Sequence, residues 1–166
     1  MDTGQFLERV LPTEGKKVLT LVMPTDNGGS WFKYKSFDTA QEAADAAVAY
    51  DAQGETVYFA VNSFGDWYHD ELKDKKRIRT QSNVHACRSL IDDFDVDSAD
   101  DKKYATRQDA LSDIIKLAQT LRLTPTITSS GGGYHAYFHL DSDVDKTTWE
   151  ELSALKRDVS THMNMK

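Results

Sequence analysis

The stretch Leu90-Ile91-Asp92-Asp93-Phe94-Asp95-Val96-Asp97 sets four carboxylates among apolar residues of strand character. Side chains alternate along a strand, so Asp93, Asp95 and Asp97 share one face while Leu90, Asp92, Phe94 and Val96 take the other. Carboxylates two residues apart stand about 6.6 Å apart at their backbones, near enough for their oxygens to converge on one or two hard cations such as Mg²⁺ or Mn²⁺. The six aspartates between Asp92 and Asp101 also suit a solvated strand exit and turn. An EF-hand calcium loop matches at its first, third and fifth positions (Asp93, Asp95, Asp97). It fails at Ser98, where the sharp turn needs Gly, and at Tyr104, where a bidentate Glu is needed.

The second chemical segment is Ser129-Ser130-Gly131-Gly132-Gly133-Tyr134-His135. Glycine lacks a Cβ, so a run of three lets backbone N–H groups approach an anion closely and could cradle phosphate; a flexible hairpin accounts for the same run. Alternation beyond it places His135, Tyr137 and His139 on one strand face and Tyr134, Ala136, Phe138 and Leu140 on the other, which reads as core. His135 and His139 have the spacing of a helical zinc pair, but in a strand they stand about 13 Å apart and cannot share a metal. A strand histidine is commonly structural. At the glycine turn, His135 could instead give a proton or hydrogen bond to a phosphate oxygen.

A third segment is basic. Lys73, Lys75, Lys76, Arg77, Arg79 and Arg88 face Asp70, Glu71 and Asp74 between residues 70 and 88, a local +3 in a chain of net charge -7. Such a run suits a solvated loop. Beside Trp67 and Tyr68 it also suits a phosphodiester strand or triphosphates.

The elements that must carry these groups alternate between helical and extended patterns, an α/β reading throughout. Helices are expected from Gly4 to Leu11, from a Thr39/Glu42 capping box to Ala52, from Thr106 to Leu121 with Ala110, Leu111, Ile114, Ile115, Ala118 and Leu121 inward, and from Thr147 to about Met163. Strands are expected at 17–23, 31–37 across an Asn27-Gly28-Gly29 turn, 56–61, 84–96, from Thr126 and at 134–140, with 62–82 a long polar loop. The 166 residues suffice for one domain, with no internal boundary visible, and 39% hydrophobic with 28% charged residues predicts a folded chain. Cys87 is the only cysteine, which excludes an intrachain disulfide and makes a reducing cytoplasm the expected compartment. No export signal or membrane-length apolar run is read.

A D-x-D strand, an amphipathic helix and S-S-G-G-G-x-H heading another strand together resemble the archaeo-eukaryotic primase superfamily, most closely the primase-polymerases of phages, prophages and plasmids. The resemblance rests on Arg88 to Val96, on Lys103-Tyr104-Ala105-Thr106 with Ala110-Leu111, and on Pro125 to Phe138; Tyr58 to Val61 and Lys76 to Val84 add to it. It implies a single primase-like domain over 1–166, an RRM-like sheet packed beside an N-terminal α/β unit. Asp93 and Asp95 fall on the family's metal-holding motif, and Asp97 stands where relatives often have glycine. Gly133 and His135 fall on the second motif, whose histidine meets the incoming triphosphate. Neither the family's third motif, a further metal-binding aspartate, nor its Arg-rich Pro-Gly-Thr stretch is found before Lys166, so a domain shortened at its C-terminal end is expected.

The function so implied is primer synthesis on a single-stranded DNA template by two-metal nucleotidyl transfer. Asp93 and Asp95 would hold Mg²⁺ or Mn²⁺, Ser129, Ser130, Gly131, Gly132, Gly133 and His135 would fix an NTP or dNTP, and Lys76, Arg77 and Arg79 would meet template or phosphates. A fused or separate replicative helicase is the expected protein partner, and the host cytoplasm the setting if the replicon is viral. The alternative is a non-catalytic module binding nucleotide or single-stranded DNA, which the missing third motif favours. A metal nuclease using the same carboxylates ranks below both.

Overall fold

The computed structural model describes residues 1–166, a mixed α/β chain of four helices and antiparallel pairings that divides into two compact units. The first unit comprises residues 1–88 and 143–146, the second 89–142 and 147–166.

In the first unit, α1 (Thr3–Val10) and α2 (Ala40–Ala52) each start at a reciprocal capping box, Asp2 with Gln5 and Thr39 with Glu42. β1 (Lys17–Pro24) pairs antiparallel with β2 (Ser30–Phe37) and β3 (Thr56–Phe59), giving the order β2-β1-β3. The Asn27-Gly28-Gly29 hairpin forms as its sequence predicts, with Gly28 at φ 77°. One sheet face, with Leu19, Val57 and Phe59, lies under the helices, where Phe6 meets Phe59 edge-on at 5.6 Å. On the opposite face Val18 packs with Ala60, Phe64 and Ile78. Lys17 is 2% exposed; burial lowers its pKa, and its ammonium donates to the carbonyls of Thr13 and Gly15 at 2.7 and 2.8 Å. That fixes the loop before β1 and leaves Lys17 a structural cation.

The segment 62–82 is more ordered than a polar loop. It holds β4 (Ser63–Phe64), a small hairpin of β5 (Tyr68–Asp70) and β6 (Lys75–Arg77), and a 3-10 turn at Gln81–Asn83. β7 (Val84–Asp95) begins in the first unit, where β4 joins it, and runs into the second.

The second unit is built on β7, β9 (Gly133–Val144) and β8 (Pro125–Ser130), with β9 between the other two, and on α3 (Arg107–Leu121) and α4 (Lys146–His162). Its core joins Leu90 and Phe94 of β7, Ala136 and Phe138 of β9, and Ala110, Ile114 and Leu117 of α3. The helix therefore buries the i, i+4, i+7 stripe from Ala110, whereas Ile115, expected inward, is 47% exposed. Trp149 of α4 donates its indole N–H to the Ser89 carbonyl at 2.9 Å, and Lys156, also on α4, is 7% exposed and holds Asp92 and the Ile91 carbonyl. No helix is long and apolar enough to cross a membrane.

Candidate functional site

The period-two reading of β7 matches its burial. Leu90 and Phe94 are buried and Asp92 is drawn to Lys156, while Asp93 and Asp95 are exposed. β9 brings His135 to the same region: its Nε2 lies 3.5 Å from Asp93 Oδ1, with the two side chains 42% and 59% exposed. The Lys103 ammonium is 3.6 Å from Asp95 Oδ2. Each carboxylate thus has one nitrogen neighbour and an open side. Tyr137 is buried, which pushes its phenol above its ordinary pKa; hydrogen bonding with Thr128 opposes the rise and the Asp93 charge adds to it.

The other acidic residues have local duties. Asp97 Oδ1 accepts the Ala99 N–H and Asp100 Oδ1 the Lys102 N–H, both at 3.0 Å, the Asx geometry of a tight turn. Tyr104, at the twelfth position of the calcium pattern, is 4% exposed and packs at 5.9 Å from Phe94. Burial pushes its phenol up to about 12. That position belongs to the core.

The glycine run divides as well. Ser130 pairs with Gly133, so Gly131 and Gly132 form a two-residue turn and Gly133 opens β9. A Cβ at Gly131 would meet nothing within 4 Å, and at Gly132 only Asp95 Oδ1 at 4.0 Å. At Gly133 it would fall 2.0 Å from the Phe94 carbonyl oxygen. Gly133 is therefore required by close approach to β7, and Val96 N–H donating to Gly132 O at 2.7 Å ties the turn beside Asp95.

Sequence reasoning missed Arg107. From the first turn of α3 its guanidinium donates to Ser129 Oγ (2.9 Å), Ser130 O (3.1 Å) and Gly131 O (3.3 Å), and it lies 5.3 Å from the Tyr134 ring centroid. This contact spans more than twenty residues of chain and has no local signature. It also commits the Ser129 hydroxyl, and in the hairpin register Ser129 stands opposite Tyr134 and Thr128 opposite His135.

The remaining expected site residues belong to the first unit. Lys76 lies in β6 opposite His69, Arg77 donates to Asp70 at 2.7 Å, and Arg79 donates to Thr20 Oγ1 at 2.8 Å. Asp93, Asp95, His135 and the glycine hairpin come together within the second unit. His139 bonds to Thr126 Oγ1 through Nε2 at 2.7 Å, a structural pairing of β9 with β8.

No group of three or more His, Cys, Asp or Glu side chains is placed to hold a metal ion. The donors present are two exposed carboxylates on one strand face, a set that fits Mg²⁺ or Mn²⁺ held jointly with water and phosphate oxygens rather than by an all-protein cage. Comparison with known proteins finds no matching family model, no matching curated protein and no matching solved structure.

Proposed function

We propose that the chain is a nucleotide-handling domain of the primase-polymerase kind, with a primase-like core, acting in template-directed nucleotidyl transfer on single-stranded DNA in a phage, prophage or plasmid replicon. One observation carries the reading: Asp93, Asp95, His135 and the Gly131-Gly132 turn meet at one end of the β7 and β9 strands, open to solvent. Two carboxylates two residues apart offer oxygens to a divalent cation, and the adjoining glycine turn and imidazole offer donors to a triphosphate. When bound, Mg²⁺ or Mn²⁺ would neutralise triphosphate charge and acidify the attacking hydroxyl. His135 is within reach of a phosphate oxygen lodged at the turn. Arg107 fixes the hairpin from behind through backbone carbonyls and is a positioning residue.

A second reading, a non-catalytic nucleotide-binding module, is favoured by the nitrogen neighbours of both carboxylates, since Lys103 beside Asp95 is a built-in competitor for a cation. Titration of a fluorescent nucleoside triphosphate with and without Mn²⁺ separates the two. Metal-dependent binding that Asp93→Asn and Asp95→Asn each weaken at least about tenfold, together with primer synthesis from unprimed oligonucleotide, supports the transferase. Triphosphate binding indifferent to metal and to both substitutions sinks it.

A further inference from the structure

We propose that the open face of the β2-β1-β3 sheet in the first unit is a platform for single-stranded DNA, bound through base stacking and backbone phosphates. The sheet has two faces of different fate. Leu19, Val57 and Phe59 lie under α1 and α2. By alternation the other face carries Phe32, Tyr34 and Ser36 of β2, Thr20 of β1 and Tyr58 of β3.

That second face is only half covered. Phe64 and Ile78 pack against Val18 with Tyr34 at the edge, and Trp67 donates its indole N–H to Ser36 Oγ at 2.9 Å. Beyond them Phe32 and Tyr58 are each 56% exposed, and Trp67 is 40% exposed. Large rings left in water side by side on a sheet face mark a binding surface.

Register gives the rings an order. Tyr34 and Tyr58 both pair with Thr20, one on each side, so their backbones stand about 9.5 Å apart across the sheet. Phe32 precedes Tyr34 by two residues, about 6.6 Å along the strand. The exposed Arg79 lays its guanidinium on Thr20 Oγ1 between the two tyrosine positions, at 2.8 Å. Aromatic faces interleaved with a guanidinium suit stacked bases, because every base offers a π-face whatever its identity.

Charge decides for a polyanion over an apolar protein surface. Lys33 and Lys35 of β2 alternate onto the helix-covered face, so the positive charge comes from the small hairpin, where β6 and the residues just after it supply Lys75, Lys76, Arg77 and Arg79 with no carboxylate among residues 75–79, in a chain of net charge -7. Asp70 of β5 neutralises Arg77 and leaves the lysines and Arg79 to meet phosphates. Choosing DNA over RNA rests on the nucleotidyl-transfer reading above; the platform itself stands on the sheet.

The test is fluorescence anisotropy of labelled oligothymidylate with the whole chain, without nucleotide or metal. Phe32→Ala and Tyr58→Ala are each expected to weaken binding at least about fivefold, and Arg79→Ala to reduce the salt slope by about one. Neither nucleotide nor metal enters the measurement, so a failed transferase reading leaves this result standing. Photocrosslinking of bromouridine-substituted DNA should label Phe32, Tyr58 or Trp67, and it reports even where a variant misfolds. The platform is overturned by no binding, by undiminished affinity in the doubly substituted protein, by equal affinity for duplex, or by crosslinks confined outside these strands. Tighter binding of oligouridylate RNA overturns the choice of DNA.

Discussion

Replacing Gly133 by alanine should unfold the second unit's sheet locally, whereas the same change at Gly131 should not. A Cβ on Gly133 would sit 2.0 Å from the Phe94 carbonyl oxygen, 3.0 Å from its carbon and 3.1 Å from Asp95 Cα, all backbone atoms that no rotamer change can move. Ordinary carbon–oxygen contacts lie near 3.3 Å, so β9 must retreat from β7 by about 1.3 Å. The 2.7 Å bond from Val96 N–H to Gly132 O would then stretch toward about 4 Å, beyond hydrogen-bonding range. One or two lost ladder bonds at about 1 kcal/mol each, added to overpacking strain of about 1–3 kcal/mol, give a cost near 3 kcal/mol. With a urea slope of about 2 kcal/mol per molar, the midpoint should fall by roughly 1.5 M. Gly131 has open space around its Cβ position and no left-handed φ, so Gly131→Ala should leave stability within about 0.5 kcal/mol of the parent, or raise it slightly by restricting the unfolded chain. Urea unfolding followed by tryptophan fluorescence measures both. Equal midpoints for the two variants would refute the claim that β9 is packed backbone against backbone on β7. If Gly131→Ala keeps the midpoint but weakens triphosphate binding, the turn serves the ligand; if it changes neither, the phosphate cradle is wrong.

Lys156 is 7% exposed and its partner Asp92 keeps one buried oxygen, Oδ2, without a hydrogen bond, so Lys156→Met strands a partly buried carboxylate and should cost about 3 kcal/mol in urea unfolding. Lys156→Met combined with Asp92→Leu should recover at least half of that loss; a single variant as stable as the parent would show the pair to be idle. Burial and the neighbouring Asp113 hold the Tyr104 phenol at about 12 against about 10 when unfolded. Its contribution is therefore complete below pH 10 and is lost as pH climbs toward 12, about 3 kcal/mol in all, and Tyr104→Phe should flatten the stability profile across that window. An unchanged alkaline profile in Tyr104→Phe would assign the loss to other groups.

Sequence patterns revealed those parts of the site that depend on period and on local backbone chemistry. Alternation alone put Asp93 and Asp95 outward and Leu90 and Phe94 inward, because one face of β7 must bury. Capping at Thr39 and the turn at Gly28 are local and were readable for the same reason. The hairpin of β5 and β6 escaped because strands of three residues, Tyr-His-Asp and Lys-Lys-Arg, are too short and polar to show a period. Ile78 just after it is fully buried, yet only its tertiary neighbours reveal that. On α3 a rotation of one residue decides whether Ile115 or Leu117 faces the core, and the direction of packing settles what the apolar pattern left open. The division of the chain between Arg88 and Ser89 falls inside a strand, where no linker composition could announce it. Arg107 was invisible for a different reason: its partners are mostly backbone carbonyls, which every residue has.

The acidic segment shows how structural and chemical demands separate once each residue's partner is known. Asp92 answers Lys156 at the edge of the core, and Asp97 and Asp100 close turns by accepting backbone N–H groups. Each of those roles stabilises the fold at its own position and needs a carboxylate or amide there. Asp93 and Asp95 accept no backbone N–H and cap no helix, and their nitrogen neighbours at 3.5 and 3.6 Å lie beyond hydrogen-bond length and are solvent-exposed. Exposed pairs of that kind contribute about 0–1 kcal/mol each, which does no more than offset the β-propensity of up to about 1 kcal/mol lost at each strand position given to Asp. Folding therefore gives these two positions little reason to be acidic. Under the proposed reading a cation bridging them to a phosphate would, and both carboxylates stand exposed on the strand face turned away from the core.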